Sequence, residues 1–148
     1  MLTVTLACTA KGKTFSKIGM SVTLTTDFRE KPKDNYDAYY EAKSANLFII
    51  KEEFSDFVAA GYDPNDISLK DYASLVANAS GLDVKVTESE GLTVFEFNET
   101  TKGTEFYHLA VFYKGTTAFW TFEFACAEKN TKKMTPSFLK WAKSVKVE

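Results

Sequence analysis

Thr104–Cys126 reads TEFYHLAVFYKGTTAFWTFEFAC, two aromatic-rich runs joined through Lys114-Gly115. Phe, Tyr, Trp, Val and Thr dominate Glu105–Tyr113 and Thr116–Cys126, and these side chains fit a pleated, half-buried surface. The stretch therefore predicts a β-hairpin. A two-residue loop at Lys114-Gly115 sets Leu109 opposite Trp120, Tyr107 opposite Phe122 and Val111 opposite Ala118. One face then carries Tyr107, Leu109, Val111, Trp120, Phe122 and Phe124. The other carries Phe106, Ala110, Phe112, Phe119 and Ala125, interrupted by His108, Thr121 and Glu123. A sheet with one wet face alternates cleanly between apolar and polar residues, and this hairpin does not, so both faces are expected to be covered.

Working outward, two amphipathic helices are available to cover it. Ser68 opens the first, with Asp71 three residues on as a capping box; Leu69, Tyr72, Ala73 and Val76 form one apolar stripe, and Gly81 stops it. The second is expected to start with Thr135 as N-cap and Pro136 in the first helical position. Phe138, Trp141, Ala142 and Val145 then face inward, while Lys140, Lys143 and Lys146 face outward near the negative end of the helix dipole.

Leu82–Glu90 and Leu92–Asn98 alternate at period two about Glu90-Gly91, a second hairpin, and Thr100–Gly103 turns into the opening stretch. Upstream, Phe15, Ile18, Met20, Val22 and Leu24 suggest one or two strands with a turn near Gly19. Arg29–Asp37, with Pro32, reads as a loop, and Tyr39–Lys43 and Leu47–Phe54 as strands. Ala127–Lys133 reads as a polar loop. Strands, helix, four strands, helix is an α+β order. It predicts a three-layer α/β/α sandwich, a central antiparallel sheet flanked by helices, formed by residues 13–148 as one domain.

A chain of 148 residues buries roughly 70% of its unfolded surface and needs no metal or disulfide staple. Plentiful aromatics argue against disorder. The net charge of −2 gives no electrostatic reason to expect nucleic acid, and no apolar run approaches the ~20 residues of a spanning helix. The two cysteines, Cys8 and Cys126, have neither metal nor redox spacing, and one histidine cannot build a histidine cluster, so no metal or cofactor is expected. An EF-hand starting at Asp63 would place Ser68 and Ser74 where Gly and Glu are required, which rejects it.

The opening MLTVTLAC ends in Leu6-Ala7-Cys8 and resembles the tail of a bacterial lipoprotein signal peptide, with Cys8 as the lipid attachment candidate and residues 1–12 as signal remnant and tether. The charged start of such a signal is missing. The alternative is a short strand, Leu2–Leu6, with Cys8 an ordinary thiol in a cytoplasmic protein.

Three motifs carry a wider resemblance: GMSVTLTTDF at Gly19–Phe28, AFWTFEFAC at Ala118–Cys126 and FLKWAKSVKV at Phe138–Val147. Together they resemble the PsbP/Mog-like superfamily from Phe15 to Val147, especially its bacterial members of unassigned role, many of which are lipoproteins. The resemblance implies an α/β/α sandwich around an antiparallel sheet. Known relatives serve as an extrinsic subunit of photosystem II or as a Ran-binding nuclear import factor, both protein-interaction roles. The residues that carry those roles have no match here, so neither role transfers.

For chemistry, the hairpin register puts His108 opposite Thr121 and diagonal to Glu123 on one face. These three are the candidate ligand-binding residues, and a His–Glu pair can do acid–base work. No nucleophile, second acid, phosphate loop or G-x-S-x-G elbow joins them, which favours a structural pair. Trp120 and Trp141 read as core rather than pocket lining, and Glu52-Glu53 with Asp56 as a solvated strand end rather than a cation site.

The expected function is a non-enzymatic protein-interaction or ligand-binding domain, tethered outside a bacterial membrane through Cys8, with an unknown protein or small ligand as partner. The alternative is a small hydrolase or isomerase using His108 and Glu123. A cone-shaped pocket of the nuclear-transport-factor type would place its helices before the strands, and the strand-first order speaks against it.

Overall fold

The structure is a computed structural model that describes residues 12–148; Cys8 and the alternative strand Leu2–Leu6 lie outside the described residues. Its elements in chain order are β1 (Gly12–Lys17), β2 (Met20–Thr25), β3 (Arg29–Glu30), β4 (Ala38–Glu41), β5 (Asn46–Glu53), α1 (Phe54–Ala59), α2 (Leu69–Ala79), β6 (Thr87–Ser89), β7 (Leu92–Thr101), β8 (Thr104–Lys114), β9 (Ala118–Ala127), α3 (Thr131–Lys143) and β10 (Lys146–Val147). Seven strands form one sheet in the order β3-β4-β5-β9-β8-β7-β6, and β1-β2-β10 form a smaller one. The paired strands of both sheets run antiparallel.

The opening hairpin is β8–β9, the centre of the large sheet, but its register differs from the expected one. Leu109 faces Phe124, Val111 faces Phe122 and Tyr113 faces Trp120. The turn is Thr116-Thr117, closed by the Gly115 N–H donating to the Ala118 carbonyl at 2.8 Å. Contacts from outside the hairpin hold it there. The Phe54 N–H donates to the Thr117 carbonyl at 2.8 Å, and the Thr116 N–H to the Glu148 carbonyl at 3.1 Å. Gly115 is required for close approach, since a Cβ there would fall 1.8 Å from the Glu148 carbonyl oxygen. A turn displaced by two residues displaces the pairing by four. An even slip preserves the faces, because side chains alternate at period two.

One face of the sheet packs Trp120, Phe122 and Phe124 against Met20, Val22 and Leu24 of the small sheet and Phe138 and Trp141 of α3. The other packs Phe95, Ala110, Phe112 and Phe119 against Tyr72, Ala73 and Ala77 of α2, with Phe57 of α1 beside them. Both tryptophans are core. The architecture is mixed α/β, a large antiparallel sheet with three helices, and the small sheet shares in covering it.

The predicted α2 is present with both halves of its capping box. The Asp71 N–H donates to Ser68 Oγ at 3.1 Å, and the Ser68 N–H to Asp71 Oδ2 at 3.2 Å. Other boundaries moved. α3 starts at Thr131, so Pro136 lies inside the helix and Thr135 is no N-cap; its hydroxyl donates back to the Thr131 carbonyl at 2.7 Å. Buried Met134, one turn before Phe138, extends the apolar stripe and draws the chain into helix early. Leu82–Val86 do not pair as a strand. Leu82, Val84 and Val86 instead pack beside α2 on the second core, so their alternation serves cover rather than pairing. The Arg29–Asp37 loop contains the two-residue β3, and Phe54–Ala59 form the unpredicted α1.

Candidate functional site

Alternation along β8 and β9 sends His108, Thr121 and Glu123 to the face that α2 partly covers. In the observed register His108 stands opposite Ala125, Glu123 opposite Ala110 and Thr121 opposite Phe112. His108 and Glu123 are still diagonal neighbours, and Nδ1 lies 2.7 Å from Glu123 Oε1. Nε2 lies 3.4 Å from Glu99 Oε2, and the ring stacks on Phe97 at 4.6 Å between centroids. His108 is 6% exposed. Each ring nitrogen faces a carboxylate and one ring face is occupied, an arrangement that fixes the imidazole in place. Phe48 of β5 contacts Tyr39 of β4 and Tyr36 of the loop before β4, forming an aromatic group. Burial raises the Tyr36 phenol above its ordinary value, and the Glu123 and Glu99 charges add to it.

Thr121 belongs to a different constellation. Its hydroxyl lies 3.2 Å from the Tyr72 hydroxyl, which donates to Glu52 Oε2 at 2.5 Å. Burial pushes the Tyr72 phenol far up and the Glu52 carboxylate adds to this, while Thr121 opposes it. Tyr72 therefore stays a donor to Glu52, which leaves its oxygen to accept from Thr121. α2 contributes Tyr72, β9 Thr121 and β5 Glu52, so the relay ties the helix to two strands.

Beside this relay the molecule is open. A cleft of about 300 Å³ is lined by Ile50, Glu52, Phe57, Leu75 and Val76, with Tyr72 and Thr121 also reaching it. A second, of about 290 Å³, adjoins it at Glu52, Phe57 and Leu75 and adds Asp56, Tyr62 and Ile67. Leu75 is 50% exposed and Tyr62 64%. The arrangement can bury a small apolar group against Phe57 and Leu75 and present a carboxylate to it. Other hollows are less selective. One of about 500 Å³ is edged by the ion pairs Lys17–Glu30 and Lys31–Glu41, and one of about 750 Å³ runs along lysines of α3.

Glu52, beside Glu53 and near Asp56, has the sequence pattern of a solvated strand end, which hides this cleft. A signal was present: Leu75 is a large apolar residue off the Leu69–Tyr72–Ala73–Val76 stripe. Among the described residues no group of three or more His, Cys, Asp or Glu side chains is placed to hold a metal ion. Cys126 is buried and free among them, its thiol pushed up by burial and by Glu128. No described helix is long and apolar enough to cross a membrane.

In fold the chain is similar to PsbP-like structures, the fold the three motifs implied. Cyanobacterial PsbP (CyanoP) from Synechocystis sp. PCC 6803 matches with a TM-score of 0.62 and 16% identity over 94% of each chain. A protein from Bacteroides thetaiotaomicron VPI-5482 matches with a TM-score of 0.63 and 10% identity, over 93% of this chain and 48% of its own. LpqN of Mycobacterium tuberculosis, described as involved in cell envelope biogenesis, matches with a TM-score of 0.51 and 8% identity, over 93% of this chain and 90% of its own. No family model and no curated protein matches the sequence. Identities this low carry the fold and not the residues of any site.

Proposed function

We propose that this chain is a non-enzymatic ligand-binding domain, a three-layer sandwich held outside a bacterial membrane through a lipid on Cys8. The observation that carries the binding role is the open cleft at Glu52, Phe57 and Leu75, mainly apolar, with the half-buried Glu52 carboxylate inside it and the exposed Asp56 at its edge. Sites of this kind, mostly apolar with few placed polar groups, are the usual form of small-molecule pockets. The His108–Glu123 pair argues against hydrolysis or isomerisation, since both imidazole nitrogens already face carboxylates and the histidine is buried. The address rests on the lipobox-like Leu6-Ala7-Cys8 and on a fold shared with LpqN, a protein described as involved in cell envelope biogenesis.

Two measurements test the reading. Mass analysis of protein extracted from membranes should find a diacylglyceryl-type adduct on Cys8, and Cys8→Ser should release the protein; an unmodified Cys8 in native protein sinks the tether. A fragment screen followed by amide chemical shifts should place hits at Phe57, Leu75 and Ala79. Hits that map to His108 and Glu123 instead would move the site.

A further inference from the structure

We infer that the cleft between α1, α2 and β5 takes a small organic ammonium ion with an apolar body, its charge paired with Glu52. This rests on the cleft being the ligand site and names the class of its occupant.

Glu52 brings a half-buried carboxylate into a hollow lined mainly by apolar side chains. Tyr72 engages Oε2 and so orients the carboxylate, while Oε1 has no donor among the described residues. The lysines near this end of the sheet are engaged elsewhere. The Lys51 ammonium lies 3.1 Å from Glu53 and donates to the Ile18 carbonyl at 3.0 Å. The Lys114 ammonium donates to the Pro64 and Ile67 carbonyls at 2.8 Å each. The other charged residue of the lining, Asp56, has the same sign as Glu52, and neither cleft is lined by a lysine or arginine.

A half-buried carboxylate with no counter-ion among the described residues favours a cation, and the walls decide what kind. Phe57, Leu75 and Ile67 supply apolar area that a hydrated inorganic ion cannot use, and Phe57 and Tyr62 add aromatic rings to the lining, a surface that suits an organic ammonium. An anion of the same shape would meet Glu52 and Asp56. Two adjoining spaces of about 300 and 290 Å³ lie at the small end of ligand sites. The occupant is therefore a compact amine.

The test uses three probes of one shape, hexylammonium, hexanol and hexanoate, titrated at pH 7 and low salt into the full chain, read from the amide shifts of Phe57, Leu75 and Ala79. Hexylammonium should bind on the order of tenfold more tightly than hexanol, the size of effect a charged hydrogen bond supplies, and hexanoate should not saturate. Glu52→Gln keeps an acceptor for Tyr72 and should abolish the preference for the amine over hexanol. Leu75→Lys, at an exposed helix position, supplies an ammonium of its own and should displace the probe in a variant whose core is untouched. Equal binding of hexanol and hexylammonium, or a preference that survives Glu52→Gln, overturns the cationic assignment while the cleft stands as a site. No saturable shift from any of the three probes overturns both.

Discussion

Raising the pH above 10 should unfold this protein through its buried tyrosines, and Tyr72→Phe should blunt the effect. An unfolded phenol ionises near pH 10. In the folded chain burial, and then the hydrogen bond to Glu52, hold Tyr72 protonated far above that value. Burial does the same for Tyr113, whose hydroxyl donates to the Ala142 carbonyl at 2.6 Å. Folded values above the unfolded one mean that this stability is fully present below pH 10 and is lost as pH rises toward the folded values. Each of the two phenols then costs about 1.4 kcal/mol at pH 11 and about 2.7 kcal/mol at pH 12. Together, about 5 kcal/mol at pH 12 reaches the lower range of a whole domain's stability, roughly 5–15 kcal/mol. Tyr39 and Tyr40, each pushed up to about 12 chiefly by burial, and Tyr107, raised by burial and then Glu96, act in the same direction with less weight where solvent screens them. Urea unfolding followed by circular dichroism at pH 8, 10 and 11, with tyrosinate absorbance alongside, reads the effect. At pH 8, Tyr72→Phe should cost about 1–3 kcal/mol, because Glu52 loses its donor and Thr121 its acceptor. That deficit should shrink by about 1.4 kcal/mol at pH 11, since the variant no longer has this phenol to ionise. A deficit that stays constant or grows between pH 8 and 11 would refute the reasoning.

Three further outcomes follow from particular contacts. A double-mutant cycle on His108→Ala and Glu123→Ala, measured by urea unfolding, should give a coupling of about 1–3 kcal/mol, and strictly additive losses would show that the 2.7 Å contact contributes nothing. Gly103→Ala, at φ 80° with nothing near its Cβ, should cost about 1–2 kcal/mol for the left-handed backbone alone. Gly115→Ala meets the Glu148 carbonyl oxygen and should cost more, with loss of hydrogen-exchange protection at Thr116; equal costs for the two variants would mean that Glu148 does not hold the turn. Phe138→Ala empties the fully buried centre of the α3 face and should cost about 3–5 kcal/mol in thermal or urea unfolding, whereas a cost under about 1 kcal/mol would place α3 off the sheet.

Which parts of this structure were legible in the sequence depended on how local their causes are. The two faces of β8–β9 follow from alternation along each strand, which is insensitive to any even slip. They were correct although Leu109 pairs with Phe124 and not with Trp120. The turn itself answers to the Phe54 N–H and the Glu148 carbonyl, partners far away in sequence, and no local propensity of Lys114-Gly115 carries that information. The same slip explains the fate of the three candidate residues. It moves the residue opposite His108 from Thr121 to Ala125 and leaves Glu123 diagonal to it, now from the other side. The pair was therefore foreseen from an incorrect register, while Thr121 went to a partner that no strand pairing could reveal, Tyr72 of α2. Helix α2 was readable from its cap and stripe, but α1 begins at Phe54, where the sequence reads as the end of a strand. Without α1, Glu52 has no apolar wall beside it and looks like a solvated end. A closed polar pair on one hairpin is conspicuous in a sequence because both members lie in one element. A cleft drawn from β5, α1 and α2 is not, since each segment contributes a few ordinary residues and only their convergence makes a site.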